Sequence, residues 1–500
     1  MLKPSRKDLE NIFRYVGIVL IALGLSMSLP LVVSVVAGEW SGALRFFLSA
    51  CITAGVGNLL YFTLRSRRRI TWNQGLVIVA LTWFFAMLFA ALPLYLSGHY
   101  ASFLDACFES MSGLTTTGRT LVHDLDHMAY GVAFWRHFMH FMGGQGIVIL
   151  VLTYFVAGTG AAVQMYTGEA RESIMPNVVE SSRFIWKVSV TYLVAGTLAL
   201  GICLLAEGMA PVRSFFQACC LFMAGFDTGG FTPQALSVGY YHSLPVELIT
   251  LVFIFLGMTN FAVQYEVWRG RPGELVKNME LRVMFTIMLM LISLVLASLV
   301  RADVFASFGA YLRRGAYHAI SAQSTTGFST IPSQHIGQRW GDLALYTIAM
   351  AMLLGGCVCS TSGGIKAFRI GIIAKEIRLK MKKSLSPVSA VVVERFHHIR
   401  ELTMTDVMVR TVMHITILFV LLFLLGMTVA LLYGYDLSTA MFESASAGGN
   451  SGLTTGVVDY RMPALLKVVI IFQMWAGRLE LLAVVVMIAY FLSMLRRGRK

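Results

Sequence analysis

Three short stretches set hydroxyl or amide side chains directly before a glycine: Thr116-Thr117-Gly118, Thr325-Thr326-Gly327 and Asn450-Ser451-Gly452. A fourth, Met223-Ala224-Gly225, stands at the same phase but has lost the polar groups. No strong base and no activated nucleophile accompanies them. What such triplets offer is main chain. Glycine lets the backbone take conformations closed to other residues, and carbonyls turned inward around an axis can replace the hydration shell of a cation. Four triplets suffice for a ring. The expected chemistry at these residues is therefore cation binding, largely through backbone oxygen.

The triplets close four similar units: Phe108 to Gly118, Phe215 to Gly225, Tyr317 to Gly327 and Phe442 to Gly452. In each, an aromatic stands ten residues before the glycine, and Ser112, Cys219, Ser321 or Ser446 stands six before it. The glycines are 107, 102 and 125 residues apart. Such self-similarity signals one structural unit used four times. Ten helical residues reach roughly 15 Å, about half of a hydrocarbon core roughly 30 Å thick. Each unit can thus enter a membrane as a half-helix and return as an extended loop. Non-helical backbone at that depth is tolerated only where it is buried in protein or lines water.

The rest of the chain supplies the membrane helices this requires. Of 500 residues, 57% are hydrophobic and 13% charged, the balance of a polytopic membrane protein. Spans are expected at 15–37, 42–64, 74–97, 134–157, 184–208, 243–268, 282–300, 341–374, 407–434 and 464–495. The first run lacks a convincing cleavage site and reads as a helix rather than a secretory signal. The seven cysteines lie in or beside apolar stretches, which argues against a disulfide framework. The net charge of +14 does not indicate nucleic acid, because its placement follows the spans. With both termini inside, inner segments and span ends hold 29 Lys/Arg against 12 Asp/Glu, and outer ones 10 against 13. That is a positive-inside bias, and it opens the four hairpins to the outside. There is no phosphate-binding loop and no His-Glu-x-x-His. His137 and His140 have no carboxylate at ligand spacing and read as boundary residues, so a membrane enzyme is disfavoured.

In order, the chain divides into a helical pair at 1–71, ending in the basic cluster Arg65, Arg67, Arg68 and Arg69, and then four pore repeats. Repeat one is 72–160, repeat two 184–270, repeat three 279–376 and repeat four 405–495, with a basic link at 377–404. The link region carries Lys375, Arg378, Lys380, Lys382, Lys383, Arg395 and Arg400. It suits either anionic lipid headgroups or a soluble regulator.

Two irregularities interrupt the spans. The last span of repeat three contains Gly355-Gly356-Cys357-Val358-Cys359-Ser360-Thr361-Ser362-Gly363-Gly364, whose four glycines make a poor helix. It reads as a packed kink, as a thiol metal site from Cys357 and Cys359, or, the preferred reading, as a flexible gate under the pore. Arg478 lies deep in the final span, at a cost of about 2.5–3.5 kcal/mol on insertion scales, and so should face the interior. It is expected either in the permeation path or in a buried pair with another repeat. Glu480, two residues on, points to a different helix face and is not the obvious partner.

Half-helix hairpins ending in Ser-x-x-Thr-Thr-x-Gly-like loops, four in one polypeptide, resemble the Trk/Ktr/HKT superfamily of potassium transporters. Phe222-Met223-Ala224-Gly225-Phe226 is similar to the family's second-repeat Asn-Asn-Ala-Gly-Phe pattern with the asparagines replaced. The 355–364 break and Gly477-Arg478-Leu479-Glu480 also match, and the N-terminal pair points to the TrkH-like branch. The resemblance implies an all-α fold of ten transmembrane helices and four half-helices in pseudo-fourfold order. It implies K+ uptake into the cytoplasm of a bacterial cell across its inner membrane, with channel, H+- or Na+-coupled symporter and poorly selective K+/Na+ pore all open. It further implies a homodimer and a cytoplasmic TrkA-like regulatory ring that binds nucleotide, with none bound by this chain. The filter glycines map to Gly118, Gly225, Gly327 and Gly452, the gate to 355–364 and the gate arginine to Arg478. Arg119, directly after the first filter glycine, departs from the pattern and is expected to act as a mobile cation at the mouth.

Overall fold

A chain this apolar must satisfy its backbone internally wherever it meets lipid, and helices do so within each segment. The computed structural model describes residues 5–64, 70–122, 124–146, 178–387 and 392–495. The basic cluster at 65–69 and the part of the first inner span beyond residue 146 lie outside these. The described residues are helical throughout except for loops and one two-stranded hairpin.

The N-terminal pair is α1 (Arg6–Ser26) running through a kink at Met27 into α2 (Ser28–Val36), with α3 (Trp40–Thr63) returning beside it. Repeat one comprises α4 (Trp72–Leu96), half-helix α5 (Phe103–Leu114) and α6 (Tyr130–Gln145). Repeat two comprises α7 (Val178–Ala206), half-helix α8 (Pro211–Phe226), α9 (Leu244–Met258) and α10 (Phe261–Trp268). In repeat three, α11 (Met279–Arg301) leads through a π-helical turn at Tyr311–Ala316 into half-helix α12 (Tyr317–Gln323), then α13 (Gly341–Leu353) and α14 (Ala367–Ser384). Strands β1 (Arg395–His398) and β2 (Arg400–Thr403) form the link hairpin. Repeat four is α15 (Asp406–Leu432), half-helix α16 (Leu437–Gly449), α17 (Ala464–Arg478) and α18 (Leu482–Leu495).

Six described helices are long and apolar enough to cross a membrane, and two bent pairs, α9–α10 and α17–α18, bring the number to eight. Helix α6 and the α13–α14 pair around the glycine-rich loop occupy the two remaining expected spans. The expected continuous helices at 243–268 and 464–495 are corrected, because these pairs bend by 102° and 109°. The physical causes are local. Asn260 restarts α10 by accepting the Ala262 N–H at 2.8 Å. A Cβ on Gly477 would lie 2.2 Å from the Gly448 carbonyl, so α17 presses against half-helix α16 there, and Glu480 and Leu481 then take left-handed φ of 52° and 61°.

Each half-helix starts at a signal that satisfies its first amides. Ser102 accepts from Asp105 N, Asp436 accepts from Thr439 N at 2.9 Å, α8 begins with Pro211, and in repeat three Ser307 caps the short turn Phe308–Ala310 that runs through the π-helical turn into α12. Helix α4, apolar on every face and largely buried, packs against α1, α5 and α18.

Candidate functional site

Just past each half-helix one residue turns left-handed: Thr116, Thr228, Thr325 and Asn450, with φ of 53°, 48°, 59° and 58°. Two residues on, Gly118, Gly230, Gly327 and Gly452 have φ between 80° and 86°. These loops meet around one axis. A Cβ on Gly118 would fall 2.0 Å from the Gly229 carbonyl oxygen, on Gly230 2.1 Å from that of Thr326, on Gly327 1.9 Å from that of Ser451, and on Gly452 2.1 Å from that of Thr117. The contacts run from repeat one to two, three, four and back to one. The chain therefore builds a closed ring of carbonyls with a glycine against each, the arrangement that can strip water from a cation.

The ring corrects the register of repeat two by five residues. Met223, Ala224 and Gly225 are not filter residues but lie inside α8. The Ala224 carbonyl accepts from Gly229 N at 2.8 Å, as Ser112 accepts from Thr117 N, Ser321 from Thr326 N and Ser446 from Ser451 N. The counterpart of Thr116-Thr117-Gly118 is thus Thr228-Gly229-Gly230, and Cys219 has no place in the pattern. The other nine expected residues, Thr116, Thr117, Gly118, Thr325, Thr326, Gly327, Asn450, Ser451 and Gly452, stand at the ring.

Behind the ring, buried carboxylates hold the returning limbs. Glu109 and Glu443 stand nine residues before Gly118 and Gly452 and accept the N–H groups of Leu121 (3.1 Å) and Thr455 (2.8 Å). In repeat three His318 takes that place and meets Ser329 Oγ at 2.9 Å. Glu109 pairs with Arg136 and Glu443 with Arg119 at 2.6 Å. Arg119 is 1% exposed, so it is not the mobile cation expected at the mouth. The twin Phe-Glu-Ser at 108–110 and 442–444 carried this signal in the sequence.

Beneath the ring, the 355–364 loop crosses the axis between α13 and α14. Gly363 N donates to Thr325 Oγ1 at 2.7 Å, Thr228 Oγ1 to Thr361 Oγ1 at 3.2 Å, and Thr325 Oγ1 meets Ser362 Oγ at 3.2 Å. A Cβ on Gly363 would sit 3.0 Å from that of Asn450. Thr361 Oγ1 lies 2.9 Å from both the Phe226 and Gly257 carbonyls, between which its one proton is shared, and Val358 N donates to Glu280 Oε1 at 2.5 Å. The loop is thus tied to the filter residues of three repeats. Arg478 reaches the fourth, donating to Thr116 Oγ1 at 3.1 Å, to the Thr361 carbonyl at 2.6 Å and to the Gly143 carbonyl at 2.7 Å. Glu480 is not beside Arg478 but pairs with Arg369 on α14. Lys366 donates to the Ser362 carbonyl. The cysteines are absorbed in packing: Cys357 is buried with its sulfur 3.6 Å from that of Met284. Among the described residues no group of three His, Cys, Asp or Glu could hold a metal.

The two sides of the ring differ in space. A cavity of about 330 Å³ opens above it, lined by Gly118, Gly230, Gly327 and Gly452, and among the described residues a smaller one of about 40 Å³ lies below it between loop and Arg478. The upper space can hold a hydrated ion, and the lower has room for at most about three waters by the volume a water needs.

A family model described as TrkH, cation transport protein, matches residues 43–493. The Trk system potassium uptake protein TrkH of Halomonas elongata is 29% identical over 96% of this chain and 98% of its own. An uncharacterized cation transporter of Methanocaldococcus jannaschii is 28% identical over 97% of this chain and 96% of its own. The crystal structure of the potassium transporter TrkH from Vibrio parahaemolyticus matches with a TM-score of 0.81 at 25% identity, over 95% of this chain and 98% of that one.

Proposed function

The chain belongs to the TrkH family of cation transport proteins, and from that premise we propose that it takes up K+ through the four-repeat ring. The observation that carries this reading is the cyclic contact of Gly118, Gly230, Gly327 and Gly452 with the preceding carbonyls of neighbouring repeats. An ion entering from the 330 Å³ cavity exchanges water for backbone oxygen, which needs no proton transfer and no covalent step. The loop at 355–364 is the gate, and Arg478 raises the barrier beneath the filter. The basic face carrying 375–406 is cytoplasmic, by the positive-inside bias, and the membrane is the inner membrane of a bacterium. That face offers α14 and the β1–β2 hairpin to a nucleotide-binding regulatory ring, and the chain works as a homodimer.

The test is uptake by the reconstituted chain in proteoliposomes under K+, Rb+ and Na+ gradients. K+ and Rb+ uptake well above Na+ is expected, and equal uptake of all three sinks the reading.

A further inference from the structure

The second filter loop lacks both the carboxylate-to-amide clamp of repeats one and four and the His318–Ser329 contact that stands in its place in repeat three. At the position of Glu109, His318 and Glu443 it carries Leu221, which has no acceptor, and at the position of Leu121 and Thr455 it carries Pro233, which has no N–H to offer. Both halves of the clamp are missing together. The same loop nevertheless stays at the ring, with Gly230 against the Thr326 carbonyl.

We infer that His140, on α6 of repeat one, is the positioning residue that holds the second filter loop in its selective geometry. Its ring is fully buried. Phe231 N, the amide directly after Gly230, donates to His140 Nε2 at 3.2 Å, and His140 Nδ1 donates to the Gly113 carbonyl at 2.7 Å. Only a neutral imidazole with its proton on Nδ1 makes both bonds. The ring stacks on Phe231 with centroids 4.3 Å apart, and Arg136, one turn earlier on α6, lies over the same phenyl at 4.1 Å. A Cβ on Gly229 would meet the imidazole at 2.5 Å, so the residue whose carbonyl joins the ring rests directly on His140. The histidine thus spans half-helix α5, through Gly113, and the filter loop of repeat two. Neighbouring His137 donates through Nδ1 to the Ala133 carbonyl of its own helix turn and faces the same Phe231 only edge-on, with centroids 6.4 Å apart.

This inference rests on the potassium filter proposed above, and the experiment separates the two. The full chain, His140→Leu and His140→Gln are reconstituted in proteoliposomes, and K+ and Na+ flux are measured per correctly assembled protein. Leucine keeps bulk and removes both hydrogen bonds, and an unmade bond to a buried donor is expected to lower the K+/Na+ flux ratio about tenfold. Glutamine keeps one donor and one acceptor and is expected to recover most of the ratio. A merely structural histidine would lower the yield of assembled protein and leave the ratio alone. An unchanged ratio in His140→Leu, or equal loss in both variants, overturns the inference. If the leucine variant does not assemble, His140→Asn, too short to reach both partners, replaces it with the same two outcomes. A wild-type chain without K+ preference would instead bring down the potassium reading, and this inference with it.

Discussion

At the scale of single residues, the register of repeat two can be settled by two alanines. Gly230→Ala would force a Cβ to 2.1 Å from the Thr326 carbonyl at a φ of 80°, so the loop must move off the ring. Gly225→Ala meets the edge of Phe328 at 3.2 Å within an ordinary helix. We expect the first to reduce K+/Na+ flux discrimination at least about tenfold and the second to leave it within about twofold. The reverse result would restore Gly225 to the filter. Arg119 supplies a second contrast. Its guanidinium is buried against Glu443, and breaking such a pair strands a charge at about 3–5 kcal/mol. Arg119→Ala should therefore lower the amount of assembled protein, and its flux should show no special gain at low ionic strength. Three of the four triplets that stand at the ring were legible in the sequence because polar residues before glycine recur there. The fourth was hidden because Phe215 and Gly225 mimic the spacing, while the true Thr228-Gly229-Gly230 has Cys220 where the others have an aromatic. Arg119 misled because its partner is 324 residues away.

At the scale of elements, the proposed gate has the loop and Arg478 acting on one barrier. Removing several residues of 355–364 should open the space below the ring and raise basal flux, and Arg478→Ala should do so less. A unit charge about 8 Å from the ion, at an effective dielectric of about 20, contributes roughly 2 kcal/mol. Arg478 also donates to the Thr361 carbonyl, so the two changes share a contact, and their combination should give less than the sum of the single effects. Flux normalised to assembled protein measures this, and a decrease for both variants would falsify the gate. The loop was visible in advance as a glycine-rich break in an apolar span. The 102° and 109° bends of α9–α10 and α17–α18 were not. Hydropathy runs on across them, and what breaks the second is a backbone contact between Gly477 and Gly448 that no local pattern records.

At the scale of the whole molecule, the question is how the basic face reaches a filter buried among four repeats. The link is not loose: Glu394 pairs with Lys375 at 2.9 Å and Lys382 at 3.0 Å on α14, the helix that continues from the gate loop. From the hairpin, Asn278 Nδ2 meets His398 Nδ1 at 3.4 Å, Glu280 N donates to Asn278 Oδ1 at 2.9 Å, and Glu280 accepts from Val358 N of the loop. If the loop gates as proposed, a displaced hairpin would act on it through α14 and through α11. The charge bias announced this face, but neither connection was legible, since each joins residues of different repeats or of the link. The Lys375 hydrogen bond, and then that of Lys382, holds the Glu394 carboxyl below its ordinary range. A carboxylate so depressed stabilises the fold above its unfolded pKa and loses that contribution as pH falls through the lower folded value. The clasp should thus be intact from neutral pH down to the ordinary carboxylate range, about 4, and fail only below it. Glu394→Gln should remove it at pH 7. We expect faster proteolysis of the link in that variant and, with the regulatory ring bound, a weaker flux response than wild type while basal flux stays the same. Equal proteolysis rates and an equal response at pH 7 would mean that the hairpin is held by its apolar side alone, through Phe396 against Ile372 and Val412, and that the ion pairs carry no signal to the gate.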